Sequence, residues 1–200
     1  MQSWLEWGVA MSPIKGQEKS GDSYLVETFA SGALVAVIDG LGHGREAAEA
    51  SRVAYDAIRE RPFDSVTAIL ERCHQRMLGI SRGAVITLAS LNPKDATLTC
   101  AGVGNVEGIL FRADPESKPR HETVIPRRGV VGSHMPSLHA SAFPIAKGDT
   151  LILVTDGIRR GFEGTIRLEQ APQEIADSIL KQHALGTDDA LVLVVRCGDI

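Results

Sequence analysis

The chain has 200 residues, 44% of them hydrophobic and 23% charged, and a net charge of −4. That length suits one domain with a sizeable core, and the acidic balance argues against a nucleic-acid partner, which calls for a basic surface. Aromatic residues are 4% of the total, too few to form stacking platforms for single strands, and no run approaches the ~20 apolar residues that cross a bilayer.

Trp4 to Ser12 reads as a first strand, after an N-terminus, MQSWLEWGVAM, without the basic n-region and apolar run of a signal peptide. A polar connection over 13–22 follows. Tyr24 to Phe29 and Ala33 to Ile38 are two β-like runs, with Ala30-Ser-Gly32 between them as a hairpin turn. The second run belongs to the stretch VAVIDGLGHGR, where an apolar strand meets Asp39 and then three glycines, Gly40, Gly42 and Gly44. Such a turn lets backbone approach something closely. From Arg45 to Glu60 the period changes: Ala47, Ala50, Ala54, Ala57 and Ile58 fall on one helix face. Pro62 ends it. A second helix is expected over Ser65 to Leu78, capped by Asp64, with Val66, Ile69, Leu70, Cys73 and Met77 as its buried stripe.

Strands then return at Ala84 to Leu91, Ala96 to Gly102 and Val106 to Arg112, joined by Asn92-Pro-Lys-Asp95 and Val103-Gly-Asn105. Glu122 to Ile125, Leu138 to Phe143 and Thr150 to Thr155 read as further short strands, with a glycine-broken loop, Arg127 to Ser133, between the first two. Pro172 to Leu185 is the third helix, proline suiting its first turn. Ala190 to Arg196, ALVLVVR, is the final strand. Helices are too few and too clustered for alternating βαβ units, so an α+β layered fold with mainly antiparallel sheets is expected. Cys73, Cys100 and Cys197 are odd in number and lack CxxC spacing. They point to neither a disulfide framework nor a zinc site, and to a reducing, cytoplasmic setting.

Acids stand at the ends of the most apolar runs: Asp22 in SGDSY, Asp39 in VIDGLGHG, Asp156 in LVTDG, and Asp188-Asp189 before ALVLVV. Any one Asp-Gly is ordinary turn chemistry. Together they would gather several carboxylates at one end of the sheets, where unpaired charges repel and raise each other's pKa. A hard divalent cation removes that conflict, and oxygen ligands suit magnesium and manganese. Two such ions, about 3.5–4 Å apart, activate a water and neutralise a phosphoryl group. Asp39 is the natural bridging ligand, with the Gly40 carbonyl beside it. A dinucleotide reading of DGLGHG fails on spacing, because Gly40, Gly42 and Gly44 are one residue short of GxGxxG.

The ordered set SGDSY, VAVIDGLGHG, AGVGNVEG, RRGVVG, LVTDG and DDALVLVV resembles the PPM group, the type 2C metal-dependent Ser/Thr protein phosphatases. Within it the chain is similar to the SpoIIE-like branch and to its RsbX-like stressosome phosphatases. The resemblance spans nearly the whole chain. It implies a layered α-β-β-α fold, with a central antiparallel β-sandwich flanked by helices, as one domain over 1–200 without the flap subdomain of larger relatives. It further implies two Mn²⁺ or Mg²⁺ ions held by Asp22, Asp39, the Gly40 carbonyl, Asp156 and Asp188, with Asp189 in a supporting position. Asp39 and Asp156 would act through a water activated by the metals, with no phosphoenzyme. The implied substrate is phosphoSer or phosphoThr of a signalling partner, a STAS-domain stressosome protein. A non-catalytic phosphoprotein-binding module on the same fold and a small-molecule phosphoesterase are the alternatives.

Two departures from the family pattern stand out. Asn105 replaces an acid that helps hold a third ion in many members, which argues for two ions rather than three. No arginine precedes Asp22; Lys15 and Lys19 are the substitutes on offer for holding phosphate. His43 reads either as a general acid near the leaving group or as a loop residue fixing the turn. Arg159-Arg160 and Arg127-Arg128 read either as contacts for an acidic or phosphorylated partner or as solvated loop charges.

Overall fold

Two runs of this chain, Gly32–Gly40 and Ala190–Cys197, are apolar at almost every position, and the reason is that each is covered on both faces. The computed structural model describes residues 4–199. Among them the strands are β1 (Leu5–Ser12), β2 (Asp22–Phe29), β3 (Gly32–Gly40), β4 (Ala84–Asn92), β5 (Thr97–Val103), β6 (Glu107–Phe111), β7 (His121–Val124), β8 (Ser141–Pro144), β9 (Thr150–Val154) and β10 (Ala190–Cys197). The helices are α1 (Gly44–Glu60), α2 (Val66–Met77) and α3 (Pro172–His183). One sheet runs β1-β10-β9-β6-β7 and the other β2-β3-β4-β5-β8. Every neighbouring pair of strands is antiparallel.

The two sheets pack face to face. Alternate residues supply the inner layer: Val35 and Val37 from β3, Leu151 and Leu153 from β9, Leu191 and Leu193 from β10. The other parity supplies the outer layers. Leu34, Ala36 and Ile38 meet the alanine face of α1 and the Ile69, Leu70 and Cys73 stripe of α2. Val192 and Val194 meet Ile175, Ala176 and Ile179 of α3. The result is the expected α-β-β-α layering. Small side chains at Ala50, Ala54 and Ala57 let α1 lie close on the sheet, and Gly8 does the same for α3, since a Cβ there would stand 2.3 Å from the Gln173 nitrogen.

Every strand and helix expected from sequence forms. The largest shift is at β8, which starts at Ser141 rather than Leu138, because its pairing with β5 begins at the Cys100–Ser141 position. Asp64 is not the cap of α2. Ser65 is: its Oγ accepts from the Ala68 nitrogen at 3.3 Å, while Asp64 receives Arg72 Nη1 at 2.7 Å. A short 3₁₀ turn at Glu163–Thr165 carries no periodicity that sequence reading detects.

Candidate active site

The parity that builds the inner layer also aims the acids. Asp39 follows Val35 and Val37 on the inward face of β3, and Asp189 precedes Leu191 and Leu193 on that of β10. Asp22 faces Asp39 directly in the β2–β3 register. Thr155 extends the inward row of β9, its amide donating to the Leu191 carbonyl at 3.1 Å. Four polar side chains therefore enter the gap between the sheets at one end, where the apolar filling stops. Their meeting is direct: Thr155 Oγ1 donates to Asp22 Oδ2 at 2.7 Å and accepts from the Leu191 amide at 2.9 Å.

Asp39, Asp156 and Asp188 line one cavity of about 470 Å³, together with His43, Asn105 and Arg128. Asp156 accepts from Asn105 Nδ2 at 2.8 Å. Asp188 Oδ1 accepts from the Asp189 amide at 2.9 Å. Asp189 itself is buried and has both oxygens committed. Oδ1 accepts from the Ile14 amide at 2.8 Å and Oδ2 from the Gly21 amide at 2.7 Å. It ties the polar connection over 13–21 to the start of β10, and that connection delivers Asp22.

Electrostatics marks the cluster. Burial pushes Asp39 up to about 8, with Asp22, Asp156, Asp188 and Asp189 adding repulsion. Burial likewise pushes Asp22 up to about 7, with Asp189, Asp156 and Asp188 adding repulsion against the stabilising Thr155 hydrogen bond. Asp156 is raised by burial and by Asp188, while the Asn105 amide opposes the rise.

The glycine of each Asp-Gly step has a packing reason. A Cβ on Gly40 would stand 2.1 Å from the Ala47 carbonyl oxygen, and one on Gly157 would stand 1.9 Å from the Asp189 carbonyl oxygen. Gly40 also donates its amide to the Gly21 carbonyl at 3.1 Å, which locks the Asp39 end of β3 against the Asp22 end of β2.

Among the described residues, no three His, Cys, Asp or Glu side chains stand gathered tightly enough to hold one ion. Asp22 is turned to Thr155 and Asp189 to backbone amides. The donor chemistry nevertheless fits a hard divalent cation: the ligands are all oxygen, Asp22 is buried and Asp39 half-buried, and burial and crowding raise Asp22, Asp39 and Asp156 above the usual carboxylate range.

Of the other candidates, His43 lines the cavity and stands at the N-cap of α1 without a side-chain cap bond. Lys15 and Lys19 do not line it, whereas Arg128 does. Arg160 lies 3.8 Å from Glu107 and Arg159 flanks a smaller hollow beside Asp156. Cys73, Cys100 and Cys197 are buried and unpaired, away from the acids. Sequence reading gave Thr155 no role, although a hydroxyl between an apolar strand and a site acid is a usable signal.

The family model described as stage II sporulation protein E (SpoIIE) matches residues 30–198. The phosphoserine phosphatase RsbX of Bacillus subtilis (strain 168) is 28% identical over 182 residues, covering 90% of this chain and 88% of RsbX. A chain from a structure reported as "The bacterial stressosome: a modular system that has been adapted to control secondary messenger signaling" superposes with a TM-score of 0.87, 26% identity, 97% coverage of this chain and 100% of that one. RsbX in complex with magnesium superposes with a TM-score of 0.87 at 24% identity, over 99% of this chain and 98% of that one. At that identity the likeness concerns the fold.

Proposed function

Because this chain belongs to the stage II sporulation protein E (SpoIIE) family, we propose that it is a metal-dependent protein serine/threonine phosphatase acting at the acid cavity. The observation that carries the reading is the convergence of Asp39, Asp156 and Asp188 on one cavity, with Asp22 across the β2–β3 register from Asp39. Asp22, Asp39, the Gly40 carbonyl, Asp156 and Asp188 would hold two Mn²⁺ or Mg²⁺ ions. When bound, the ions supply a water of lowered pKa and neutralise charge on the phosphoryl group.

The chain's own residues do the rest. Thr155 fixes the rotamer of Asp22 by donating to Oδ2. Asn105 does the same for Asp156. Asp189 holds the 13–21 connection in place through two backbone amides. His43 stands in the cavity wall, within the space where a leaving seryl or threonyl oxygen takes up a proton.

RsbX is named a phosphoserine phosphatase and a stressosome structure matches this chain over 97% of its length. These support a signalling phosphoprotein as substrate, a STAS-domain stressosome protein in the cytosol. Among the described residues no helix is long and apolar enough to cross a membrane. The residues 1–200 act as one domain without a flap, which leaves the cavity open to a protein surface.

The test is hydrolysis of p-nitrophenyl phosphate with and without Mn²⁺ for the parent, Asp39→Asn and Asp156→Asn. Mn²⁺-dependent turnover in the parent, falling at least a hundredfold in both variants, is expected. Metal-independent turnover, or full activity in both variants, overturns the assignment.

A further inference from the structure

Among the described residues Arg128 is the one lysine or arginine in the wall of the acid cavity, and its position is imposed by the backbone on both sides. On one side Arg127 is tied to β5: its amide donates to the Gly102 carbonyl at 2.8 Å, and its carbonyl accepts from the Gly104 amide at 2.7 Å. On the other side Val131 exchanges two hydrogen bonds with Ala84 of β4, at 2.9 and 3.0 Å, and is fully buried. The Gly132 amide donates to His74 Nδ1 at 3.0 Å, fastening the same segment to α2. Arg128 to Val130 is the short span between two fixed points, and it faces Asp39, Asp156 and Asp188.

An arginine beside carboxylates normally pairs with one of them. Among the described residues Arg128 forms no ion pair with any. The cavity thus holds separated charges of both signs. That arrangement suits a phosphoryl group: cations on the carboxylates take some of its oxygens, and a planar guanidinium takes two others in a fork.

Arg128 also lines a second cavity, of about 710 Å³, with Ile125, Pro126, Arg127, Pro136 and His139. The two cavities therefore adjoin at this one residue. Ile125, in the lining of this basic hollow, is 82% exposed and so open to an arriving chain. A small phosphate ester needs only the first cavity, whereas a polypeptide carrying the phosphate has room to use both.

We infer that Arg128 binds the substrate phosphoryl group and that the adjoining cavity of Ile125, Arg127 and His139 takes the polypeptide beside the phosphorylated residue. This rests on the phosphatase reading above. It places the phosphate-binding cation on the loop after β7 rather than in the Lys15–Lys19 connection, and it makes the site selective for phosphoproteins over small esters.

Three readings test it together: inhibition by inorganic phosphate, kinetics on p-nitrophenyl phosphate and on phosphorylated casein, and anisotropy of a fluorescein-labelled casein phosphopeptide against its dephosphorylated form. Loss of one charge-assisted pair is expected to raise the phosphate inhibition constant and KM roughly tenfold to a hundredfold in Arg128→Ala, with partial recovery in Arg128→Lys. Mn²⁺ affinity by calorimetry should hold, which separates loss of phosphate binding from a collapsed site. Ile125→Asp is expected to lower kcat/KM at least tenfold more for casein than for p-nitrophenyl phosphate. Arg120→Ala, an arginine outside both cavities, controls for general loss of positive charge and should match the parent. Unchanged phosphate inhibition in Arg128→Ala overturns the phosphoryl contact, and equal losses on both substrates in Ile125→Asp overturn the polypeptide cavity. If the parent hydrolyses nothing yet binds the phosphopeptide through Arg128, the phosphatase reading fails and this one stands. If Arg128→Ala binds the phosphopeptide as the parent does, this one fails alone.

Discussion

Replacing Asp189 tests the structural support beneath the ion-binding acids. Its carboxylate accepts from the Ile14 and Gly21 amides at 2.8 and 2.7 Å and is 4% exposed. Each bond to a charged acceptor contributes about 1.5–3 kcal/mol. Asp189→Asn keeps the shape but turns an NH₂ group towards one amide, so one bond is lost and two donors face each other. Removing the charge works the other way, because Asp189 adds to the repulsion that raises Asp22 and Asp39. The expected net cost is therefore near the lower bound, about 2 kcal/mol, or roughly 4–8 °C in Tm for a chain of this size. Asp189→Ala forfeits both bonds and should cost about 3–4 kcal/mol. Urea unfolding in EDTA reads the stability, and Mn²⁺ titration of each variant reads the site. Mn²⁺ affinity should fall along with stability, because the freed 13–21 connection no longer fixes Asp22. An Asn variant within 0.5 kcal/mol of the parent refutes the idea that these two bonds hold the connection.

Other consequences follow from the same geometry. Asp22 and Asp39 sit near 7 and 8 when folded, above the ~3.9 of an unfolded Asp. The folded state therefore holds protons that the unfolded state has released, and metal-free stability must fall as pH rises from about 4 to about 8. Melting in EDTA should give a higher Tm at pH 6 than at pH 8.5, with the difference reduced in Asp39→Asn; equal slopes in parent and variant contradict the assignment. Gly40→Ala and Gly157→Ala each drive a methyl into a carbonyl oxygen, at 2.1 and 1.9 Å. Each should cost about 3 kcal/mol or more by urea unfolding, and a loss under 1 kcal/mol counts against the packing argument. Burial pushes the thiols of Cys73, Cys100 and Cys197 up to about 12. The native protein should ignore Ellman's reagent at pH 8 and show three thiols in urea; rapid native reaction refutes that burial.

The layering was legible in the sequence because its two parities differ in partner but agree in polarity. β3 and β10 read as continuous apolar runs, and such runs are strands covered on both faces. The alanine face of α1 was legible for the same reason. The convergence of the acids was legible because each sits where an apolar run ends, and sheet ends are few. What escaped was pairwise and distant. The Thr155–Asp22 bond joins residues 133 apart and the Asp189–Ile14 bond joins residues 175 apart. No local pattern encodes either one. Arg127 and Arg128 were visible as a pair, but only the bridges of their loop to β4 and β5 decide which of them faces the acids. Gly40 was read as a place of close backbone approach, but the partner in that approach, the Ala47 carbonyl of α1, appears only in the fold.

One geometric rule accounts for both the stability of the sandwich and the weakness of its open end. Inward positions along β2, β3, β9 and β10 are apolar until the rows reach Asp22, Asp39, Thr155 and Asp189. Each acid occupies a place where the core would otherwise continue. An apolar residue there would extend the core, so the like-charged end is stability given up for function. The cluster survives because neutral or backbone donors hold it: Thr155 on Asp22, Asn105 on Asp156, and two amides on Asp189. Neutral donors fix carboxylates without consuming their charge. A lysine or arginine in the place of Thr155 or Asn105 would stabilise the metal-free protein more, and would compete with cations for the same oxygens. Arg128 escapes that conflict by standing in the cavity wall without pairing, free to meet an anion that arrives from outside.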